Sequence, residues 1–105
     1  MTVELHVVPP GGGEVDHVKK LSEGQMGFVP RKGEYVLFKE EEGTSAFEVI
    51  NVHSFYEKGQ INKFIISNII VEAEPVILPE GLESEPHKKL CAYHKVIKKY
   101  PETIY

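Results

Sequence analysis

Two stretches decide the fold: residues 46–56, AFEVINVHSFY, and residues 63–74, KFIISNIIVEAE. Both are rich in β-branched and aromatic residues, which pack well on a pleated and half-buried surface. Lys58, Gly59 and Gln60 lie between them and form a turn signal. The sequence therefore predicts a hairpin of two long strands near the middle of a β-rich domain.

The first of these strands changes its apolar face part of the way along. Phe47 and Val49 point to one side of a regular strand, whereas Ile50 and Val52 point to the other. An extra residue in the strand reconciles the two halves. We therefore predict a bulge or sharp bend near residues 49–50, of the kind that lets a small sheet curl into a barrel.

Three further strands are predicted outside the central hairpin. Residues 2–8 alternate apolar and polar side chains, and the proline and glycine run at 9–13 ends that strand. Residues 14–21 are expected to pair with it, since the glycines favour a flexible turn over a phosphate loop. Residues 34–40 follow a turn at Gly33. A loop at Gly24 and Gly27 and a short edge strand at 76–78 complete the body.

One helix is predicted at the C-terminal end. Ser84 is a suitable N-cap, Pro86 favours the first turn, and Pro101 stops the helix, so we expect it to run over residues 84–99. An apolar stripe recurs at helical spacing: Leu90, Tyr93, Ile97 and Tyr100. We expect this stripe to dock on the barrel. A partner protein, a second copy or an anionic membrane surface are the alternatives.

These elements fit one domain spanning residues 1–105, with a β body at 1–82 and a helix and tail at 83–105. The predicted fold class is mainly β (α+β). Five strands joined by short turns favour a small antiparallel five-stranded barrel-like meander with one C-terminal amphipathic helix.

Within the body, residues 29–36 (VPRKGEYV) and 47–53 (FEVINVH) show a recognisable pattern. It resembles small, uncharacterised bacterial proteins with a Src-homology-like β-barrel. In those proteins one strand begins with a turn of the pattern proline, arginine, any residue, glycine, acidic residue. A second strand with two spaced valines follows and pairs with it. The resemblance implies the barrel and names no chemistry.

Charge and composition narrow the classes of function. The net charge is −4, and the acidic body disfavours nucleic-acid binding outside the lysine-rich helix. The single cysteine allows no intrachain disulfide, and the N-terminus has no leader pattern, so a cytoplasmic protein is expected. No apolar run reaches the length of a membrane span, and no motif indicates a cofactor.

A possible metal site lies on the predicted helix. His87, Cys91 and His94 follow one another at i, i+4 and i+7, and imidazole and thiolate are both good zinc ligands. Lysines on the same flank oppose a cation, and the ordinary alternative is a buried cysteine between two histidines. A Cys–His nucleophile pair is disfavoured because Cys91 is far from the helix N-terminus.

A possible binding surface lies at the end of the central hairpin. His53, Phe55 and Tyr56 close its first strand, and Phe64 opens its second. Rings beside hydrogen-bonding groups are typical of recognition surfaces, although they also cover the mouths of barrels. We favour a non-catalytic binding or adaptor module for protein–protein contacts, including contacts with itself. The alternative is a small zinc protein or enzyme that uses His87, Cys91 and His94.

Overall fold

The computed structural model describes residues 2–21 and 29–101, and the predicted loop at Gly24 and Gly27 lies outside them. The described chain is mainly β with one C-terminal helix, which confirms the predicted fold class. Its elements are β1 (Thr2–Val7), β2 (His17–Leu21), β3 (Tyr35–Glu40), β4 (Gly43–Lys58), β5 (Phe64–Pro75) and α1 (Glu85–Tyr93).

The five strands form one curled, half-barrel sheet in the order β2-β1-β5-β4-β3. Three of the four pairings are antiparallel, but β1 lies parallel to β5, so the predicted simple meander is corrected at this point. The strands β2 and β3, which are consecutive in the chain, lie at opposite edges of the sheet and are not neighbours. The inner edge of β1 is thereby left for β5.

The core lies on one face of the sheet, on β1, β5 and the first part of β4. Val3 is opposite Ile69, Leu5 is opposite Val71, and Val7 is opposite Ala73. The apolar residues of this register are buried, as is Phe47 of β4. Burying a Leu or Phe side chain contributes roughly 1.5–3 kcal/mol, so this register stabilises the parallel pairing despite its non-local connection.

The bulge predicted near residues 49–50 is confirmed. The register of β4 against β5 shifts between Val49 and Asn51, so Ile50 is the extra residue. A second shift lies between Phe55 and Tyr56, where Ser67 of β5 has no residue opposite. Both irregularities increase the twist of the strands, as a curled sheet requires.

The helix α1 begins as predicted and ends earlier than predicted. The Ser84 side chain accepts a hydrogen bond from the backbone N–H of His87, and α1 ends at Tyr93 rather than Lys99. Lys95 has a positive φ of 52°, which stops the helix. Beyond it the chain pairs with the segment after β5: Ile77 N–H donates to the Lys98 carbonyl, and Tyr100 N–H donates to the Ile77 carbonyl. The predicted edge strand at 76–78 is therefore a single bridge to Lys99.

The apolar stripe predicted for the helix forms only in part: Leu90 packs against the core, but α1 ends before the later members of the stripe. Tyr93 is 80% exposed and Ile97 is 88% exposed, whereas Tyr100 stacks edge-on against Tyr35. The buried residues of α1 are instead His87 and Cys91. No helix in the described part of the chain has the length and apolar character needed to cross a bilayer.

Candidate functional site

The end of the β4–β5 hairpin extends beyond the rest of the sheet. β3 pairs with β4 only as far as Glu48, and β1 pairs with β5 only from Asn68 onward. Residues 55–67, which we call the arm, are therefore two-stranded within the described chain. The molecule is 54 Å long but only 30 and 25 Å across, in keeping with such an extension. An isolated two-stranded hairpin is at best marginally stable in water. Covering the arm with another protein surface would therefore stabilise it.

The arm carries a group of large apolar side chains that are between 46% and 89% exposed: Phe55, Tyr56, Ile61, Phe64 and Ile65. Exposed apolar residues are ordinary when scattered, whereas a contiguous group marks a contact surface. Strand pairing places Tyr56 beside Ile66 on one face and Glu57 beside Ile65 on the other. The apolar character thus extends over both faces of the arm.

The binding residues expected from the sequence lie at the base of the arm. His53 is exposed on β4, with its Nε2 atom 2.7 Å from Glu72 Oε1 across the strand pair. Phe55 shares its face of the sheet, whereas Tyr56 points to the opposite face because successive strand residues alternate. Phe55 and Tyr56 therefore belong to the arm and His53 lies just before it, and the three residues do not share one surface. Sequence reasoning missed Ile61, which lies between the predicted turn and the predicted strand, and it missed the exposure of Ile65, which lies within that strand.

The tip of the arm has an unusual backbone. Ile61 and Asn62 both adopt left-handed conformations, with φ of 51° and 57°. Asn tolerates this region, but for a β-branched residue it is unfavourable. Ile61 is also the most exposed of the large apolar residues of the arm, at 89%. The fold therefore holds an apolar side chain in solvent at a local energetic cost, which is a reason to look for a contact there.

One edge of the arm is continuous with an open edge of the sheet. Beyond Val49, no described residue pairs with β4 on its β3 side. A groove of about 1350 Å³ runs beside this edge, lined by the segment after Val29 and by Asn51, Val52 and Ser54 of β4. Unpaired N–H and C=O groups along such an edge favour the addition of another strand.

A second cluster of functional groups lies beneath α1. Glu83, His87 and Cys91 each offer a ligand atom, and these atoms all lie within 4.8 Å of one another. His87 Nε2 is 3.5 Å from Cys91 Sγ and 3.9 Å from Glu83 Oε2. The side chains of His87 and Glu83 are only 1% and 7% exposed. The three residues follow at i, i+4 and i+8, which places them along one side of the helix and its N-terminal approach.

Hydrogen bonds fix the imidazole of this cluster. His87 Nε2 is 2.8 Å from the Val76 carbonyl, so this nitrogen carries the proton and donates it. His87 Nδ1 is buried and has no hydrogen-bond partner among the described residues. Glu83 Oε2 accepts from the backbone N–H of Leu78 at 3.1 Å. The cluster thus joins α1 to the segment that follows β5.

The thiol of Cys91 is held in its neutral form. Burial, and then the negative charge of Glu83, raise its pKa to about 11. A neutral buried thiol is a poor nucleophile, because the thiolate is the reactive species. The environment of Cys91 therefore argues against a Cys–His catalytic pair.

His94 does not join His87 and Cys91, as the sequence had suggested. It caps the C-terminus of α1, and its Nε2 atom lies 3.4 Å from Asp16 Oδ1. Asp16 also contacts His17, at 2.8 Å. Glu83, not His94, is the third residue of the cluster with His87 and Cys91. The spacing from Glu83 to Cys91 was visible in the sequence, but Glu83 precedes the N-cap and was not counted with the helix.

No protein-family model matches this chain, and comparisons with curated proteins and with solved structures give no match either.

Proposed function

We propose that this chain is a non-catalytic protein-interaction module, and that its arm binds the arm of a second copy of the chain. The observation that carries the proposal is the exposed apolar group on a two-stranded extension with an open edge. Covering that group removes apolar surface from water at roughly 25 cal/mol per Å². A location in the cytoplasm is part of the same proposal.

A second copy suits the open edge of β4 because the edge is complementary to itself. Two β4 strands can pair antiparallel about a twofold axis at Phe55, since the edge is open from Ile50 to Lys58. In that register His53 is opposite Glu57 of the partner subunit, and by symmetry Glu57 is opposite the partner's His53. The imidazole of His53 and the carboxylate of Glu57 can hydrogen-bond across such a strand pair, whereas shifting the register by one residue places His53 opposite Lys58 or Tyr56.

The chemistry of the interior supports a binding role over a catalytic one. Cys91 is the chain's one thiol, and its raised pKa keeps it protonated. The exposed His53 contacts Glu72 on the face of the sheet opposite the core. His53 and Glu72 therefore offer hydrogen-bonding groups on an exposed surface, as a recognition module requires.

The test is the molar mass in solution, measured by light scattering coupled to size exclusion. We expect a dimer for the wild type and a folded monomer for Phe64→Asp, because a charge on the arm opposes its burial. Ile97→Asp is the matched control, since Ile97 is at least as exposed as Phe64 (88% against 65%) but lies on the C-terminal segment. A monomeric wild type at high concentration would contradict self-association, and the arm would then bind a different protein.

The register has its own test by cross-linking. Phe55→Cys places two thiols opposite one another at the twofold axis, so mild oxidation should give a covalent dimer. Val52→Cys is the control, because residue 52 is opposite residue 58 in this register. The native Cys91 is buried and does not compete. Equal cross-linking of both variants would rule out pairing about Phe55.

A further inference from the structure

We infer that Glu83, His87 and Cys91 form a binding site for a divalent ion of the zinc class, which fastens α1 to the sheet. The inference is independent of the proposed function, because the cluster lies under α1 and the arm lies at the far end of the hairpin. Three different ligand types converge within 4.8 Å in a buried position. Thiolate, imidazole and carboxylate together are a donor set that zinc accepts.

One of the ligand distances already fits a tetrahedral ion, and a second is slightly too long. Bonds of about 2.0–2.3 Å in tetrahedral geometry place ligand atoms roughly 3.3–3.8 Å apart. Cys91 Sγ and His87 Nε2 are 3.5 Å apart, within this range. Glu83 Oε2 is 3.9 Å from His87 Nε2, so a small rotation of the Glu83 side chain completes the third contact.

The buried carboxylate of Glu83 favours a cation in this cluster. A buried carboxylate is costly unless it is paired and hydrogen-bonded. Glu83 accepts a hydrogen bond from Leu78 N–H. Among the described residues, its ion-pairing partner is His87, whose Nε2 atom lies 3.9 Å from Glu83 Oε2. A divalent ion between the three ligands offsets the carboxylate and the thiolate together.

Proton movements balance when the ion binds. The Cys91 thiol loses its proton to solvent, and the His87 proton moves from Nε2 to Nδ1, which has no hydrogen bond to break. One proton is released for each ion bound. The Val76 carbonyl then loses its imidazole donor. Its oxygen lies 2.8 Å from Nε2, closer than two ligands of one tetrahedral ion, so it must move away from Nε2 before it can serve as a fourth ligand.

The consequence is a metal-dependent docking of the helix. Glu83, His87 and Cys91 belong to α1 and its N-terminal approach, whereas Val76 belongs to the segment after β5. An ion bound by both groups of ligands would join the helix to the segment that follows β5. Binding to the folded state alone raises its stability in proportion to the logarithm of the free ion concentration.

The experiment uses the full chain without an affinity tag, first treated with a chelator. Zinc alone is added and the melting temperature is measured. Cobalt alone is then added, and the thiolate-to-cobalt charge-transfer absorption is recorded. We expect zinc to raise the melting temperature and cobalt to give the absorption. Cys91→Ser should lose the absorption, and Glu83→Gln should weaken zinc binding at least tenfold.

The control is His94→Asn, which leaves the three ligands intact and disrupts the neighbouring contact of His94 with Asp16. It should retain both responses. Two results would overturn the inference: no response of folded wild-type protein to either ion, or a response that survives both Cys91→Ser and Glu83→Gln. Circular dichroism of each variant verifies that it is folded before the ions are added.

Discussion

The backbone of Ser84 approaches Gly43 so closely that a Cβ atom on Gly43 would lie 2.8 Å from the Ser84 nitrogen. Gly43 begins β4, and Ser84 caps α1, so this contact joins the β3–β4 turn to the start of the helix. Hydrogen bonds flank it: Thr44 N–H donates to the Leu82 carbonyl, and Ser84 N–H donates to the Thr44 carbonyl. The contact therefore fixes the position of Glu83, which lies between the two bonds.

Replacing Gly43 by Ala should destabilise the protein by about 2–4 kcal/mol, because the new Cβ meets backbone rather than a movable side chain. The φ of 129° at this position adds strain for any residue with a side chain. Urea denaturation measures the loss. Gly12→Ala is the matched control: its φ is also positive, at 91°, but a Cβ there meets open space, so it should lose only about 1 kcal/mol. Equal losses would show that the contact with Ser84 contributes nothing.

The tip of the arm should become more stable when Ile61 is replaced by Asn. Ile61 has a φ of 51°, a conformation that Asn adopts readily and isoleucine does not. We expect a gain of about 1 kcal/mol in the free energy of unfolding, measured in the Phe64→Asp background so that association does not contribute. Gln60→Asn, one residue earlier, should have no such effect. A loss of stability would mean that the Ile61 side chain makes intramolecular contacts that outweigh the strain.

Stability should fall in acid partly through Asp16. The hydrogen bond with His17 holds the pKa of Asp16 below its ordinary value of 3.8, assisted by His94 and opposed by partial burial. A carboxyl group whose pKa is lowered by folding contributes stability above its unfolded pKa and loses it as the pH falls through its folded pKa. The contribution is therefore present at neutral pH and lost below about pH 4.

Asp16→Asn should remove this part of the acid dependence. The free energy of unfolding, measured by urea titration between pH 7 and pH 3, should fall less steeply for the variant than for the wild type. Glu14→Gln is the control, because it removes a nearby carboxylate in the same turn. Identical pH profiles for Asp16→Asn and wild type would contradict the assigned role of the His17 contact.

Local physics let the sequence predict most of the individual elements. Alternation in residues 2–8 predicted β1, the glycine turn after it predicted a pairing strand at 14–21, and the change of apolar face at Val49 and Ile50 predicted the bulge. Ser84 and Pro86 predicted the start of α1. Each of these signals depends on side chains a few residues apart, so no knowledge of distant contacts is needed. The resemblance to Src-homology-like barrels stays a prediction.

The candidate sites were only partly predictable. Cys91 and His87 were identified from helical spacing, and the aromatic residues at the hairpin end were identified from composition. The exchange of His94 for Glu83 was not foreseen, because it depends on where the helix ends and on how the chain enters it. The exposure of Ile65 was not foreseen either, since an apolar strand residue is ordinarily assigned to a core.

The sequence by itself determined the β-rich class, the turns, the bulge and the first turn of the helix, because hydrophobic alternation and backbone preferences act over short distances. The tertiary structure alone decided the parallel pairing of β1 with β5, the early end of α1 and the two-stranded arm. These features depend on which distant segment offers the better partner. Tyr100 leaves the helical path because Ile77 and Tyr35, far away in sequence, provide hydrogen bonding and packing that a further helical turn would not.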